Sequence, residues 1–536
     1  MGDSIDRPID HQQERRLRRR HFLEVSALGL AAVAAPPFTR TTVLAATGAI
    51  SRGGTLRIGV PERFTGFDIF GTRSRTDYQA TDNILDRLVT YDAHFVPRGM
   101  LAESWRAVDS TTWVFTLRSG VSFHDGTPFN AAAAAFSIDR LRQSPFKSQV
   151  ARISRVSAVN DTTLEIKVSQ PFPTLPAVLT QSFASIVSPT AYQKLGPAGF
   201  SKAPVGTGPF RFVSWNPSAE LVLAANPHYW RTDPSGGRYP YVQKVVWKIL
   251  PDVAAATLAL QAGDVDLITT VSLPSVSQLA SGPGTKVSET PTLGWNYIFL
   301  NTRTTPFNDV HKRRAVQYAI DRKAIVDAVL LGHGVPMLGP LPPNSWAYDP
   351  SITTKGLYGP HADVKKARQE LAAAHAAGGF AFSLTYPTLD PFTGVAQAVK
   401  AQLAAVGITA NLDGREIGTV LDNMFVSKFQ ALNIDWSGRI DEDLSTAAFY
   451  ETKGANNFEQ YSNPTVDGLL KQAGSITDRS RRAVLYHRAQ ALINADAPII
   501  LLFFPTQTIG LRSNVQGFQN LGDQRIPLYN VWLGAS

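Results

Sequence analysis

Trp436-Ser437-Gly438-Arg439-Ile440-Asp441-Glu442-Asp443 sets an indole, a hydroxyl, a guanidinium and three carboxylates within eight residues, just after the apolar stretch 431–434. An arginine fork suits carboxylate or phosphate, which it grips through two parallel hydrogen bonds. The indole offers a flat face to an apolar or planar group. These residue types point to non-covalent recognition of a ligand whose anionic group faces Arg439, with a cationic group near Asp441 or Asp443. The competing reading keeps the charges within the chain: Arg439 pairs with Asp441 or Asp443 and meets no ligand.

Reactive chemistry finds less support. Phe123-His124-Asp125-Gly126 invites a metal or acid–base reading, but a glycine turn in which His124 and Asp125 satisfy local backbone groups explains it with fewer assumptions. Gly206-Thr207-Gly208-Pro209 holds two glycines without the lysine and helix of a phosphate loop, and reads as a crossover turn. Asp264 and Asp266 flank Val265 in a helix-to-strand connection and are expected in solvent. The ten histidines never fall at i, i+4 spacing with a carboxylate, so no metal site is expected. No Gly-x-Ser-x-Gly elbow is present, nor a Ser-x-x-Lys pairing with its supporting motifs. The absence of cysteine removes thiol catalysis, cysteine-based zinc sites, iron–sulfur clusters and disulfides together. The expectation is a protein that binds without a cofactor and is not an enzyme.

The elements that must hold such a site alternate in character along the chain. A glycine turn at Gly53-Gly54 leads into a strand over 55–60. Trp113, Phe115 and Leu117 alternate with Val114, Thr116 and Arg118, and Leu164, Ile166 and Val168 with Glu165 and Lys167, the period of half-buried strands. Between them Asn130 can cap a helix carrying Phe136 and Ile138. Strands resume at 210–213, 221–223 and 245–249, and a helix over 254–261 ends at Gly263. From about residue 300 helices and strands alternate. Asp321 caps 322–331, and Asp363 starts a helix that Gly378 stops. Strand 380–386, helix 393–406 and strand 408–412 form a βαβ unit. Asn463-Pro464 opens a further helix, and helix 478–494 leads into a buried strand over 499–504. The class is α/β, with a β-rich front third and an alternating back half.

Of the 536 residues, 44% are apolar and 18% charged, enough to bury a large core and too ordered in composition for a disordered chain. Residues 15–20 read Arg-Arg-Leu-Arg-Arg-Arg, and the apolar run 25–35 is followed by Val43-Leu44-Ala45 and Ala46. That is the order of a signal peptide, cleaved near residues 45–46, and the apolar run is too short to span a bilayer. Arg19-Arg20-His21-Phe22-Leu23 resembles the twin-arginine export motif, so a periplasmic destination is expected. Removing the seven arginines and five acids of residues 1–46 from 52 basic and 43 acidic side chains leaves 45 and 38, a net of +7. These charges are spread along the chain with no basic stripe interleaved with aromatics, so nucleic acid is not an expected partner.

Several phrases together resemble the family-5 extracellular solute-binding proteins, the dipeptide, oligopeptide and nickel-complex receptors of ABC importers. They are Leu101-Ala102-Glu103-Ser104-Trp105, Trp113 to Arg118, Phe123-His124-Asp125-Gly126-Thr127-Pro128-Phe129, Gly206-Thr207-Gly208-Pro209-Phe210, Asn226-Pro227-His228-Tyr229-Trp230 and Ala262-Gly263-Asp264-Val265-Asp266. Leu300-Asn301-Thr302, Ala319-Ile320-Asp321 and Tyr461-Ser462-Asn463 continue the likeness in order.

The resemblance implies an α/β, two-lobed periplasmic-binding-protein fold of type II, in its large three-subdomain form, with a hinge and an interlobe cleft. It divides the chain into a signal peptide at 1–46, lobe 1 at 47–88, 204–292 and 504–536, a β-rich subdomain at 89–203 inserted into that lobe, and lobe 2 at 293–503. The tryptophan-led segment lines the family's cleft, which makes Trp436, Ser437, Arg439, Asp441 and Asp443 candidate ligand residues. Dipeptide-binding members carry an aspartate three residues after that tryptophan, facing the ligand's α-ammonium. Arg439 stands there in this chain, and the family's Asp-Pro step is replaced by Asp441-Glu442. Phe67, Asp68, Arg73 and Tyr78, where lobe 1 approaches the cleft, and Trp295, Asn296 and Tyr297, at the lobe crossover, are further candidates for contact or packing. The implied function is capture of a peptide-like or other small amphoteric solute by a monomer, and its delivery to ABC permease and ATPase subunits at the membrane. An exported hydrolase or transferase using the same cleft, or a chemosensory receptor, are the alternatives.

Overall fold

Leu56, Ile58 and Val60 are buried along Thr55–Val60, which lies parallel to Lys244–Ile249 on one side and Leu267–Ile268 on the other. In the computed structural model, which describes residues 50–72 and 74–535, this strand belongs to a mixed sheet of twelve. The main path runs Thr409–Arg415, Ala381–Pro387, Ala431–Trp436, Trp295–Leu300, Ile499–Arg512, Leu267–Ile268, Thr55–Val60, Lys244–Ile249, Glu220–Ala225 and Phe210–Asn216. Residues 1–49, which include the expected signal peptide and its twin arginines, lie outside the described residues, as does Arg73.

Strand Ile499–Arg512 joins the two halves of this sheet. Its first residues pair antiparallel with Trp295–Leu300, and its last seven with Thr285–Pro291. The apolar run predicts a strand ending at residue 504. The strand continues to Arg512 because the more polar Thr506, Gln507 and Thr508 find backbone partners in Thr285–Pro291. Along Trp295–Leu300 the period of two puts Trp295, Tyr297 and Phe299 into one apolar core and Ile298 and Leu300 into another.

The βαβ unit forms as its periodicity predicts. Ala381–Pro387 and Thr409–Arg415 are parallel neighbours joined through helix Phe392–Ala404, whose Val395, Val399 and Leu403 are buried. Helix caps follow the sequence closely. Asn130, Asp321, Asp363, Asn463 and Asp478 each accept backbone N–H bonds at the first turn of the helix that follows.

A separate antiparallel sheet, in the order Ala102–Ala107, Thr112–Leu117, Thr163–Val168 and Ile153–Asn160, packs against helix Ala131–Arg142. His124 and Asp125 act as turn residues. Asp125 accepts from Thr127 N (3.0 Å), Thr127 Oγ1 (2.6 Å) and Ser188 Oγ (2.6 Å), and His124 Nε2 lies 3.0 Å from Gly208 O. Burial holds the His124 imidazole down at about 4. At the crossover turn, a β-carbon on Gly206 would sit 2.4 Å from Ile84 O, a close backbone approach that leaves room only for glycine. One expectation fails: Asp266 is buried, not solvated, and pairs with Arg57 at 2.8 and 3.0 Å. The parallel alignment of Thr55–Val60 with Leu267–Ile268 carries Arg57 alongside the aspartate.

Candidate functional site

Gly438 turns the chain at the end of strand Ala431–Trp436 with φ +64, where a β-carbon would lie 2.0 Å from Leu293 O. That turn delivers Arg439 to the wall of a cavity of about 640 Å³, a size common for small-molecule sites. Arg439 Nη1 donates to Ser437 Oγ (2.9 Å) and to Gly438 O (2.6 Å), and its guanidinium lies 5.6 Å from the Trp436 ring centre. Among the described residues no carboxylate lies within ion-pair distance of Arg439. Burial lowers its pKa, and the neighbouring Tyr78 works against that shift.

Asp441 answers the question of internal pairing. Its carboxylate accepts from Arg482 Nη1 at 3.0 Å and Nη2 at 2.5 Å, with both side chains buried. The Arg439–Asp441 pair of the competing reading is therefore not formed. Arg482 reaches Asp441 from helix Arg479–Asp496, whereas Arg439 turns back onto Ser437 Oγ and Gly438 O. Asp443 does not pair with Arg439 either. Burial, with Asp441 adding, pushes its carboxyl up to about 6, opposed by Arg152.

The remaining cavity wall comes from distant parts of the chain. Helix Arg75–Thr81 contributes Arg75, Tyr78 and Gln79, and residues 145–149 and 180–183 supply polar groups and the stacked pair Phe146 and Phe183. Residues 523–525 close the floor, where Asp523 accepts from Tyr91 OH (2.5 Å) and Arg525 Nε (2.9 Å). The Arg525 guanidinium sits 4.0 Å from the Tyr91 ring centre and 3.9 Å from Asp82, which Arg87 also pairs at 2.5 Å. Two arginines and two aspartates thus compensate one another there. Burial raises Asp523 to about 6 and lowers Arg525 to about 9. Among the described residues Arg75 and Arg439 have no such pairing. The carboxyl facing Arg75 is the solvent-open Asp435, which its protein surroundings push upward and Arg75 pulls back.

Of the candidates singled out in the sequence, Ser437, Arg439 and Tyr78 come together on this wall. The others do not. Phe67 is fully buried among Phe64, Phe212 and Trp215. Asp68 accepts from Tyr192 OH at 3.2 Å and from the Phe70 backbone, away from the cavity. Trp295 and Tyr297 pack with Phe449 in the core, and Asn296 accepts from Asn433 Nδ2 at 3.0 Å. Their strand turns one face into one apolar core and the other face into a second, so both faces are covered. Trp436 lies edge-on to Phe449 at 5.0 Å and supports Arg439 from the core side. Arg75, Tyr91, Asp523 and Arg525 gave no sequence signal; Arg75 stood two residues from the singled-out Arg73.

The family model of the bacterial extracellular solute-binding proteins, family 5, matches residues 96–458. The chain belongs to this family. It is 29% identical over 435 residues to the probable D,D-dipeptide-binding periplasmic protein DdpA of Escherichia coli (strain K12), covering 78% of this chain and 81% of that protein. It is 28% identical over 480 residues to the glutathione-binding protein GsiB of Pectobacterium atrosepticum, covering 83% and 87%. Among solved structures, the ABC transporter-associated periplasmic binding protein DppA from Helicobacter pylori, in complex with peptide STSA, superimposes with a TM-score of 0.74 at 26% identity, covering 90% and 99%.

Family membership makes the chain a substrate-binding protein of the ABC-importer type, with the two-lobed type II α/β fold. The relatives are periplasmic binding proteins rather than enzymes. Among the described residues no helix is long and apolar enough to cross a membrane, and no group of three His, Asp or Glu side chains is arranged to hold a metal ion.

Proposed function

We propose that this solute-binding protein takes an anionic, peptide-like or otherwise amphoteric solute into the cavity bounded by Arg439, Arg75 and Tyr78. The observation that carries the reading is Arg439, half-buried on the cavity wall with no carboxylate partner among the described residues. A cation held away from water without a counter-ion is unfavourable until an anion arrives. The solute's carboxylate or phosphate supplies that counter-ion through the guanidinium fork. The neutral and aromatic lining of residues 145–149 and 180–183 accommodates the rest of the molecule.

On this reading lobe 1 comprises 47–88, 204–292 and 504–536 with the inserted 89–203 subdomain, and lobe 2 comprises 293–503. The cavity wall draws on residues from both. The protein is exported by its twin-arginine signal and acts as a periplasmic monomer. It closes on its solute and passes it to the permease without chemistry. Closure requires the solute to bind the closed state better than the open one.

Mass spectrometry of solute co-purified from the native host, followed by a thermal-shift screen, tests this. Glutathione and acidic dipeptides, both net anions, are compared with neutral and basic dipeptides. A solute at 100 times its Kd adds roughly 2.7 kcal/mol of stability. Anionic solutes are expected to shift the melting temperature and basic ones to leave it unchanged; the reverse order sinks the reading.

A further inference from the structure

Ile440 follows Arg439 in the chain but points out of the cavity. It packs with Phe95, Ala177 and Leu293 in a small apolar cluster detached from the three large cores, with Tyr91 at its edge. Ile440 is 4% exposed and Phe95 1%. Phe95 comes from the tip of the hairpin Val89–Tyr91 and Pro97–Gly99, where it adopts φ +54. A bulky side chain rarely holds that conformation unless its surroundings impose it. Arg479 Nη2 donates to Phe95 O at 3.0 Å, tying the hairpin tip to the helix that also carries Arg482. The Arg482–Asp441 pair in turn fixes the residue after Ile440. Each side of the contact is one short step from the cavity wall: Arg439 precedes Ile440, and Tyr91 shares the hairpin with Phe95.

We propose that Phe95 and Ile440 form an apolar latch between the inserted subdomain and lobe 2, and that the latch sets solute affinity without touching solute. The proposal rests on the cleft and the lobe division described above. Apparent affinity scales with the fraction of protein in the binding-competent, closed state. A contact present only on closure raises that fraction, so Phe95 and Ile440 are positioning residues for the bound solute. The strained hairpin tip is held in place by the contact it makes.

The chain has no cysteine, so two introduced ones give a clean label pair. Spin labels at Lys147→Cys and Asp422→Cys, exposed positions beside the cavity-lining Phe146 and Phe425 and on either side of the proposed lobe division, report its width in exhaustively dialysed protein. Double electron–electron resonance is expected to show short and long separations. Ile440→Ala and Phe95→Ala are expected to lower the short-to-long ratio at least about tenfold, in line with buried large-to-small truncation, and Ile440→Val to restore most of it. Should Ile440→Ala fail to fold, Phe95→Ala on its peripheral hairpin keeps the test open. A ratio unchanged in these variants, or a parent protein confined to the long separation, overturns the latch. Glutathione added to the labelled parent is expected to raise the short-separation fraction; if it does not, while Ile440→Ala and Phe95→Ala still lower the dialysed ratio, the solute reading fails and the latch stands. Failure of the solute reading is thereby kept apart from failure of the latch.

Discussion

Arg482 grips Asp441 in a buried two-point ion pair, 2.5 and 3.0 Å long, and Arg439 is left without an ion-pair partner among the described residues. The two arginines differ in their partners: Arg482 holds a carboxylate and Arg439 only a hydroxyl and a carbonyl. One is neutralised within the protein, and the other is held ready for a counter-ion from outside.

Arg439→Ala is expected to weaken binding of an anionic solute by about 30-fold or more, since losing one partner of a desolvated charged pair costs ~2–5 kcal/mol. Arg439→Asp is expected to reverse the preference toward solutes bearing an ammonium group. Isothermal titration calorimetry with glutathione and with a basic dipeptide reads both effects. Equal affinities across parent and variants would remove Arg439 from the site.

Breaking the Asp441–Arg482 pair from one side is expected to destabilise the fold strongly. Asp441→Asn or Arg482→Met each leaves a buried charge unpaired, at a cost of ~3–5 kcal/mol. The double substitution recovers most of the loss because no lone charge remains. Urea unfolding of the three variants measures this, and an additive double mutant contradicts it.

Glu459 is fully buried, and neither carboxylate oxygen has a hydrogen-bond partner among the described residues. Burial raises its pKa well above the ordinary 4.5. A carboxyl raised in the folded state binds its proton more tightly there than in the unfolded chain. Its contribution is therefore intact below 4.5 and is lost as pH rises toward the folded value, by about 1.4 kcal/mol per unit. Glu459→Gln keeps the neutral shape, so its stability advantage over the parent is expected to be near zero at pH 4 and to grow with pH. Denaturation midpoints across pH 4–8 check the slope, and a pH-independent difference contradicts the assignment.

Gly438→Ala is expected to damage both folding and binding. The added β-carbon meets Leu293 O at 2.0 Å in a left-handed backbone conformation, a combination worth ~1–3 kcal/mol or more. The turn that aims Arg439 must shift to relieve it. Thermal melts and calorimetry on the same sample separate the two losses. Unaltered binding would mean that the turn does not position Arg439.

The elements themselves were legible from local chemistry. Asn130, Asp321, Asp363 and Asp478 cap their helices through side-chain bonds reaching three residues along the chain, and strand alternation needs only neighbours. Family phrases such as Phe123-His124-Asp125-Gly126 were legible for the same reason, being turns satisfied almost on the spot. Arg439 could be singled out because residue type and the preceding Trp436 mark it. What Arg439 pairs with could not. The choice between Asp441 and an external anion depends on Arg482, which lies 41 residues further along and arrives only when helix Arg479–Asp496 packs. Trp295 and Tyr297 could equally be contact or packing, and the two cores that cover their strand's faces decide for packing. Tyr91, Asp523 and Arg525 carried no signal at all, because their association spans more than 430 residues. It exists because Ile499–Arg512 threads the middle of the sheet and returns the C-terminal segment to helix Arg75–Thr81 and the hairpin of residues 89–99. The sequence by itself determined an α/β solute-binding protein with an arginine where an acid was expected. Only tertiary packing decided which charges are spent on one another and which remain for a solute, since pairing across long separations depends on burial rather than on spacing.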